Sequence, residues 1–446
     1  MSDTAVTGTT VPGAPGAWPL IGHGLSLARR PLEFIRGLPR FGDVVQVRLG
    51  RLPAYVLTHP DLVHQVLVTD AASFSRGHLH DKNKNFLGEG LVVSSGQAHR
   101  RDRLMVQPAF KRARLAEHVP AIRSAAEAIT SKWRPGEPVA LDRDMADLAL
   151  ANVTSSLLGT LSDDAAEKVR GAVPVLMKGG VLRSVTPGWF SRLPLPVNRR
   201  FQRAVTDVSA VVAELTVRYR ATGTPSAELL STLALTTDSE GRSFCDSQIR
   251  DQVITFYMAG VETSSAALAW IFYEIGRNPD VEQRLYAELD AVLRGRLPDS
   301  GAIDRLPYTG RLITEVLRVY SVWFQMRRTL RSVRLGNVEL PADTEVIYSP
   351  YLLHHDPRWF TDPERFDPDR WLPANAKDVH KHAFIPFAAG PHKCMGDYFA
   401  VLEYVIAIAT ICSRWRLRPL AGQQVRPVTH AVVHRNELIM IPERRK

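Results

Sequence analysis

From Val253 to Tyr273 apolar residues leave almost no polar face on a helical wheel. The run lies inside "SQIRDQVITFYMAGVETSSAALAWIFYEIGRNPD", Ser247 to Asp280, which carries no proline before Pro279. It reads as one helix of roughly thirty residues, ~45 Å long at 1.5 Å per residue. Glu262, Thr263, Ser264 and Ser265 sit together at its middle, where a lone helix in lipid would not tolerate them. The pattern therefore predicts a buried central helix whose polar notch faces something inside the protein. Alternation of β-branched residues predicts a hairpin over Asp43–Thr58. "RSVRLGNVELPADTEVIYSPY" predicts short strands with turns at Gly336-Asn337 and Pro341-Ala342-Asp343. "VTHAVVHRNELIMIP" predicts a last hairpin turning near Asn436. Helical patterns dominate up to about Tyr320. Strands from both ends flanking a helical middle give a fold class that is mainly α with small β-sheets, α+β. One large domain is expected over residues 18–446, behind a flexible Pro- and Gly-rich arm over residues 1–17.

Composition narrows the class. The 446 residues contain three cysteines, Cys245, Cys394 and Cys412, with no C-x-x-C pair. That is no disulfide framework and no zinc ribbon, so a reducing, cytoplasmic setting is expected. The start has neither a basic n-region nor an apolar h-region, so no signal peptide or anchor is expected there. The net charge of +10 fits either an ordinary basic surface or a docking face for an acidic partner. Basic residues form no long run interleaved with aromatics, which argues against nucleic acid. Phosphate-loop, dinucleotide, H-E-x-x-H and G-x-S-x-G motifs are absent.

The chemistry concentrates in "FIPFAAGPHKCMGDYFA", Phe384 to Ala400. Cys394 follows a Gly-Pro-His-Lys turn and precedes a helical pattern that starts at Met395. Gly390 permits a positive φ. A cysteine at a helix N-terminus meets free N–H groups and the positive end of the dipole, and both favour thiolate. Gly396 lets a flat ligand approach the backbone, and Phe387 is placed to shield the sulfur from water. A buried cysteine packed as a small hydrophobe explains the thiol but not its surroundings. The set suits a thiolate ligand of iron.

This stretch resembles the haem-thiolate signature of the cytochromes P450, and the resemblance covers nearly the whole chain. It implies haem b with Cys394 as the proximal iron ligand and Phe387, Gly390 and Gly396 in the cofactor-binding turn. "AGVETS", Ala259 to Ser264, is similar to the family's central-helix motif. There Ala259 and Gly260 give room beside a flat cofactor, Thr263 supplies a hydroxyl beside dioxygen, and Glu262 relays protons, which O–O cleavage needs. The resemblance also implies that His99 and Arg103, with Arg327 and His392, bind the haem propionates. Arg328 adjoins Arg327, so a slip of one in that register stays open. Glu315 and Arg318 of "EVLR" are implied to be buried and joined by Arg365 of "TDPERFDPDRW" in a structural trio. His354, His355 and Asp356 are metal-ligand residue types, but adjacent residues rarely converge on one ion.

No fused reductase is legible, so the resemblance implies electrons from NAD(P)H through a separate reductase and a ferredoxin. The docking region would include the six Lys/Arg from Arg100 to Arg114. A monomer without a membrane span or nucleic-acid partner is expected. Substrate contacts would come from about Arg76–Val93, about Val173–Phe201 and the segment after Arg318. The last two are strongly apolar and, Lys178 and Arg183 aside, offer no obvious charged anchor, which points to an apolar small-molecule substrate. The chain is similar to bacterial P450s that oxidise sesquiterpenes. This implies oxidation of a methyl group of a cyclic hydrocarbon such as pentalenene to alcohol and aldehyde, on the way to a terpenoid antibiotic. A fatty acid, macrolide or steroid is the alternative substrate. A peroxygenase and a non-catalytic haem carrier are the alternative roles. The first commonly loses the acid-Thr pair present here as Glu262 and Thr263; the second leaves the polar notch unexplained.

Overall fold

The computed structural model describes residues 11–186 and 188–445. Its contacts gather into two compact units, Met1–His80 with Thr314–Cys394 and Pro427–His434, and Asp81–Ile313 with Met395–Arg426 and Arg435–Lys446.

The first unit is built on a five-stranded sheet. The expected hairpin forms as Val44–Leu49 paired antiparallel to Leu52–Leu57, with Gly50 at φ 63 in the turn. Leu52–Leu57 pairs in parallel with Glu345–Tyr348, which pairs antiparallel with Gln325–Thr329, and Phe74–Ser75 closes the far edge. Ala54 to Leu57 and Glu345 to Tyr348 are buried without alternation, so these inner strands are covered on both faces. Gly336, at φ 59, turns a second small hairpin of Val333–Leu335 and Val338–Leu340. The first ten residues of the expected arm lie outside the described residues. From Pro12 the chain instead lies along the sheet edge, where Ala14 N–H donates to Gln46 O at 2.9 Å and Gln46 N–H to Pro12 O at 2.9 Å.

The second unit is helical. The central helix runs Asp246–Arg277. Gln248 accepts from the Cys245 N–H at its start, and Asn278-Pro279 ends it, with Asn278 Nδ2 bonded to Glu274 O. Nineteen of its thirty-two residues are buried, so the apolar pattern reflects core packing on all sides. Among the described residues no helix is long and apolar enough to cross a membrane. Leu141–Leu158 packs on the central helix, Asp163–Val185 on Pro196–Thr222, and Asp397–Cys412 on Val119–Thr130.

The hairpin expected around Asn436 does not form. Val433–Arg435 pairs with Pro427–Thr429, whereas Ile439–Arg444 joins Trp415–Pro419 and Val139–Ala140 in another sheet. Asn436 ties the crossover down: its Oδ1 accepts from Arg426 N–H at 2.7 Å and its Nδ2 donates to Gln424 O at 2.8 Å. The side-chain bonds of one asparagine, not a two-residue turn, set the chain direction there.

Candidate active site

In the first unit the cysteine turn is fixed from both ends. Ala388 and Gly390 take φ 56 and 69, and Cys394 N–H donates to Phe387 O at 2.9 Å. A Cβ at Gly390 would stand 1.8 Å from the carbonyl oxygen of Leu67, so only glycine fits. Leu67 belongs to a π-helical turn, Gln65–Thr69. Cys394 is exposed, and Phe387 and His392 are half-buried on the same turn. The helix expected from Met395 starts at Asp397 with Gly396 as its N-cap residue. Cys394 therefore lies ahead of the helix, not within its first turn.

Upstream, His354 anchors this turn. It is fully buried; its Nδ1 bonds Arg318 O at 3.1 Å, and its Nε2 accepts from Ile385 N–H at 3.0 Å. Burial holds it neutral, well below the ordinary histidine range, which matches one donating and one accepting nitrogen. His355 is spent on Tyr351 O, and Asp356 on Arg358. Their polar atoms serve the backbone and each other's neighbours, so the three do not converge.

Arg318 uses all five of its N–H donors. Two grip Glu315 at 2.9 and 2.7 Å, two reach His354 O and Pro363 O at 2.8 Å each, and one reaches Arg365 O at 3.2 Å. The third arginine of the trio is a correction. Arg365 is exposed and gives only its carbonyl; Arg370 Nε reaches Glu315 Oε1 at 3.4 Å, and Trp371 Nε1 donates to Oε2 at 2.9 Å. The Pro-Glu-Arg-Phe at residues 363–366 is followed five residues on by Pro-Asp-Arg-Trp. The second copy lies on the 3₁₀ turn Pro368–Trp371, capped by Asp367, and that turn aims Arg370 and the indole at Glu315.

The adjoining arginines separate by strand alternation. Arg328 Nε bonds the buried Glu345 at 2.6 Å. Arg327 is 2% exposed, bonds Met326 O and Tyr348 Oη, and has no carboxylate partner among the described residues. His80, which sequence reasoning passed over, is buried with Nδ1 unpaired; burial and the cations Arg76 and Arg327 push its pKa well below the ordinary value. A buried guanidinium and a buried imidazole nitrogen without an acid fit the carboxylates of a haem, and the exposed thiol of Cys394 in the same unit fits its iron.

In the second unit the central helix is open at one place. Ala259 is exposed and Met258, Gly260, Glu262 and Thr263 are half-buried, amid a helix otherwise largely buried. Thr263 Oγ1 donates to Ala259 O at 2.7 Å, and Ser265 Oγ to Glu262 O at 3.0 Å. Gly260 also serves the packing of the helices. Its bare side faces Val153 of Leu141–Leu158, 2.9 Å from where a Cβ would lie, so it lets two helices approach. His99 is buried and Arg103 half-buried on the helix Gly96–Val106. Between them Asp102 bonds Arg101 and Gln252, each at 3.2 Å, and burial raises its pKa. Arg101 is further held by Asp238 at 2.7 Å, which removes one cation from the basic run.

Sequence reading also missed Glu403. It is fully buried on Asp397–Cys412, where Ser264 Oγ donates to it at 2.6 Å and Asn152 Nδ2 at 2.9 Å. With no cation beside it, burial pushes its pKa up to about 7. A lone acid in "YFAVLEYVIAIATIC", an otherwise apolar stretch, was the available signal. Arg183, by contrast, is spent internally: it bonds Gly179 O at 3.1 Å and Asn198 Oδ1 at 2.9 Å and lies 3.6 Å over the Phe201 ring.

Comparison with known proteins matches this chemistry. The family model described as Cytochrome P450 matches residues 12–444. The chain is 41% identical over 413 residues to cyclooctat-9-en-7-ol 5-monooxygenase of Streptomyces melanosporofaciens, covering 92% of this chain and 90% of that one. It is 39% identical to cyclooctatin synthase of the same organism, over 97% and 95% of the two chains. Pentalenene oxygenase of Streptomyces avermitilis is 37% identical, over 97% and 96%. The crystal structure of a cytochrome P450DA haem domain superposes with a TM-score of 0.86 over 98% of each chain at 24% identity, which supports the fold. A mainly helical fold with small sheets, a thiol on a glycine-locked turn and a match from end to end have one reading: the chain belongs to the cytochrome P450 family and is a haem-thiolate monooxygenase.

Proposed function

We propose that this chain oxidises a cyclic terpenoid in the cytoplasm, drawing electrons from NAD(P)H through a reductase and a ferredoxin. The observation that carries the substrate class is the near full-length likeness to proteins named for cyclooctatin and pentalenene oxidation. Of the two charged exceptions, Arg183 is locked inside the fold by Asn198 and Phe201, while Lys178 is exposed on its helix.

When bound, the haem supplies a thiolate-ligated iron that activates dioxygen. Cys394 would hold the iron from its locked turn, with Phe387 and Gly396 flanking it in the chain. In the first unit Arg327 and His392 would take propionate charge, and the neutral His80 would donate a hydrogen bond to it. Thr263 gives up its bond to Ala259 O by a χ1 rotation and so presents a hydroxyl proton; Glu262, one residue before, returns a proton to it. The Lys/Arg between Arg100 and Arg114 other than Arg101 and Arg103, namely Arg100, Lys111, Arg112 and Arg114, form the basic surface for an acidic ferredoxin.

Within this class the first substrate to test is pentalenene, oxidised at a methyl group to alcohol and aldehyde. A larger cyclooctatin-type skeleton is the second reading, favoured by the 41% identity to the cyclooctat-9-en-7-ol enzyme. The experiment is an optical titration of the ferric holoenzyme with each compound, followed by product analysis with ferredoxin, reductase and NAD(P)H. A saturable low-to-high-spin shift with product from either supports the terpenoid reading and chooses between the skeletons. No shift and no product from both discards it. Thr263→Ala is expected to keep NAD(P)H consumption while losing product; unchanged coupling removes the role given to Thr263.

A further inference from the structure

The open positions of the central helix form one stripe. Met258 and Glu262 are four residues apart, as are Ala259 and Thr263, so the four side chains share a contiguous face. Met258 is the apolar end of that face. Two other helices arrive there. Asp163–Val185 brings Gly180, and His78–Leu87 brings Phe86. A Cβ at Gly180 would lie 2.8 Å from Met258 Cε and 3.0 Å from Phe86 Cε2. Both atoms are tips of side chains that are only half-buried. The bare backbone at Gly180 is thus a recess into which the methionine methyl and the edge of the phenyl ring fold.

Neither backbone can retreat. Next to Gly180, a Cβ at Gly179 would stand 2.2 Å from the Phe201 ring and 3.2 Å from Nη1 of Arg183, whose guanidinium covers that ring. Directly after Phe86, the segment from Gly88 to Leu91 is fastened to the first turns of the central helix. Glu89 N–H donates to Asp251 Oδ2 at 3.0 Å, and Leu91 N–H to Gln252 Oε1 at 2.9 Å. A Cβ at Gly90 would be 1.9 Å from Thr255 Oγ1. With the main chains fixed, anything added at residue 180 must displace the tips of Met258 and Phe86. Displaced tips move out along the stripe, toward the space before Ala259 and Thr263.

We propose that Gly180 is a specificity-determining residue: by leaving a recess for the ends of Met258 and Phe86, it sets the size of apolar ligand admitted over the Ala259–Thr263 face, in favour of bulky polycyclic terpenoids. This rests on the terpenoid monooxygenase reading for the substrate, but its test does not. The ferric holoenzyme is titrated optically with imidazole, 1-phenylimidazole and 1-(4-biphenylyl)imidazole, which ligate the iron and differ in bulk. Gly180→Ala is expected to leave imidazole affinity unchanged and to weaken the biphenyl azole about tenfold, the scale of one methyl group in an apolar site. Met258→Ala alone is expected to tighten the biphenyl azole, and Gly180→Ala with Met258→Ala to restore wild-type affinity. Equal loss for all three azoles, no change for any, or no recovery in the double variant overturns the proposal. Because the azoles probe only space near the iron, a failure of the terpenoid titrations leaves this result standing, and the reverse.

Discussion

Glu315 and Glu403 are both wholly buried, in different units, and the protein treats them in opposite ways. Glu315 is held by two arginines, an indole and a backbone N–H. Among the described residues Glu403 meets only a serine hydroxyl and an asparagine amide. The difference lies in what the partners can do. Arginine, indole and backbone N–H groups only donate, so Glu315 serves them as an acceptor and its geometry is fixed. Hydroxyl and amide groups both donate and accept, so Glu403 can be satisfied protonated or ionised. The first acid is a fastener and the second is a titrating group beside the Glu262-Thr263 notch.

The largest effect is expected from breaking the fastener. Arg318→Ala leaves Glu315 without its bidentate partner and should cost about 3–5 kcal/mol of unfolding free energy, read by urea denaturation. A loss below that of an ordinary surface substitution would contradict the assignment. Glu403→Gln should act in the other direction. A carboxyl whose pKa rises from 4.5 to about 7 on folding adds stability in full below pH 4.5, and that contribution is lost as pH rises through 7. The glutamine variant should therefore be more stable than wild type at pH 8, by on the order of 3 kcal/mol, with the gain vanishing near pH 4.5. A pH-independent difference would show that the acid does not titrate in this range. His354→Phe, which strands Arg318 O and Ile385 N–H, should cost about 2 kcal/mol and loosen the cysteine turn, seen as faster amide exchange near Ile385. Smallest of all, Arg365→Ala should change stability by less than about 0.5 kcal/mol, because the hydrogen bonds of Arg365 among the described residues are made by its backbone. A larger loss there than for Arg370→Ala would reverse the correction of the trio.

What the chain made legible follows the range of the forces involved. The central helix, the first hairpin and the Gly336 turn depend on local pattern, and all three appear within a few residues of their expected bounds. The cysteine turn was legible because glycine spacing is a local backbone demand. The Arg365 choice failed because two near-identical Pro-acid-Arg-aromatic motifs stand side by side, and only the 3₁₀ turn after Asp367 decides which one reaches Glu315. The last hairpin failed because Asn436 bonds across to residues 424–426 instead of turning the chain on itself. Glu403 was invisible because its meaning comes from Asn152 and Ser264, which lie far away in sequence.

The contact between Gly390 and the carbonyl of Leu67 also bears on when the thiol turn is completed. Its partners are more than three hundred residues apart, and only a glycine lets them approach so closely. Closing so long a loop costs entropy before the contact repays it. The turn carrying Cys394 is thus expected to be among the last parts of its unit to take shape. Mutations in the Gln65–Thr69 turn should then speed unfolding far more than they slow folding. Capture of the haem would follow the long-range assembly of the protein and not nucleate it.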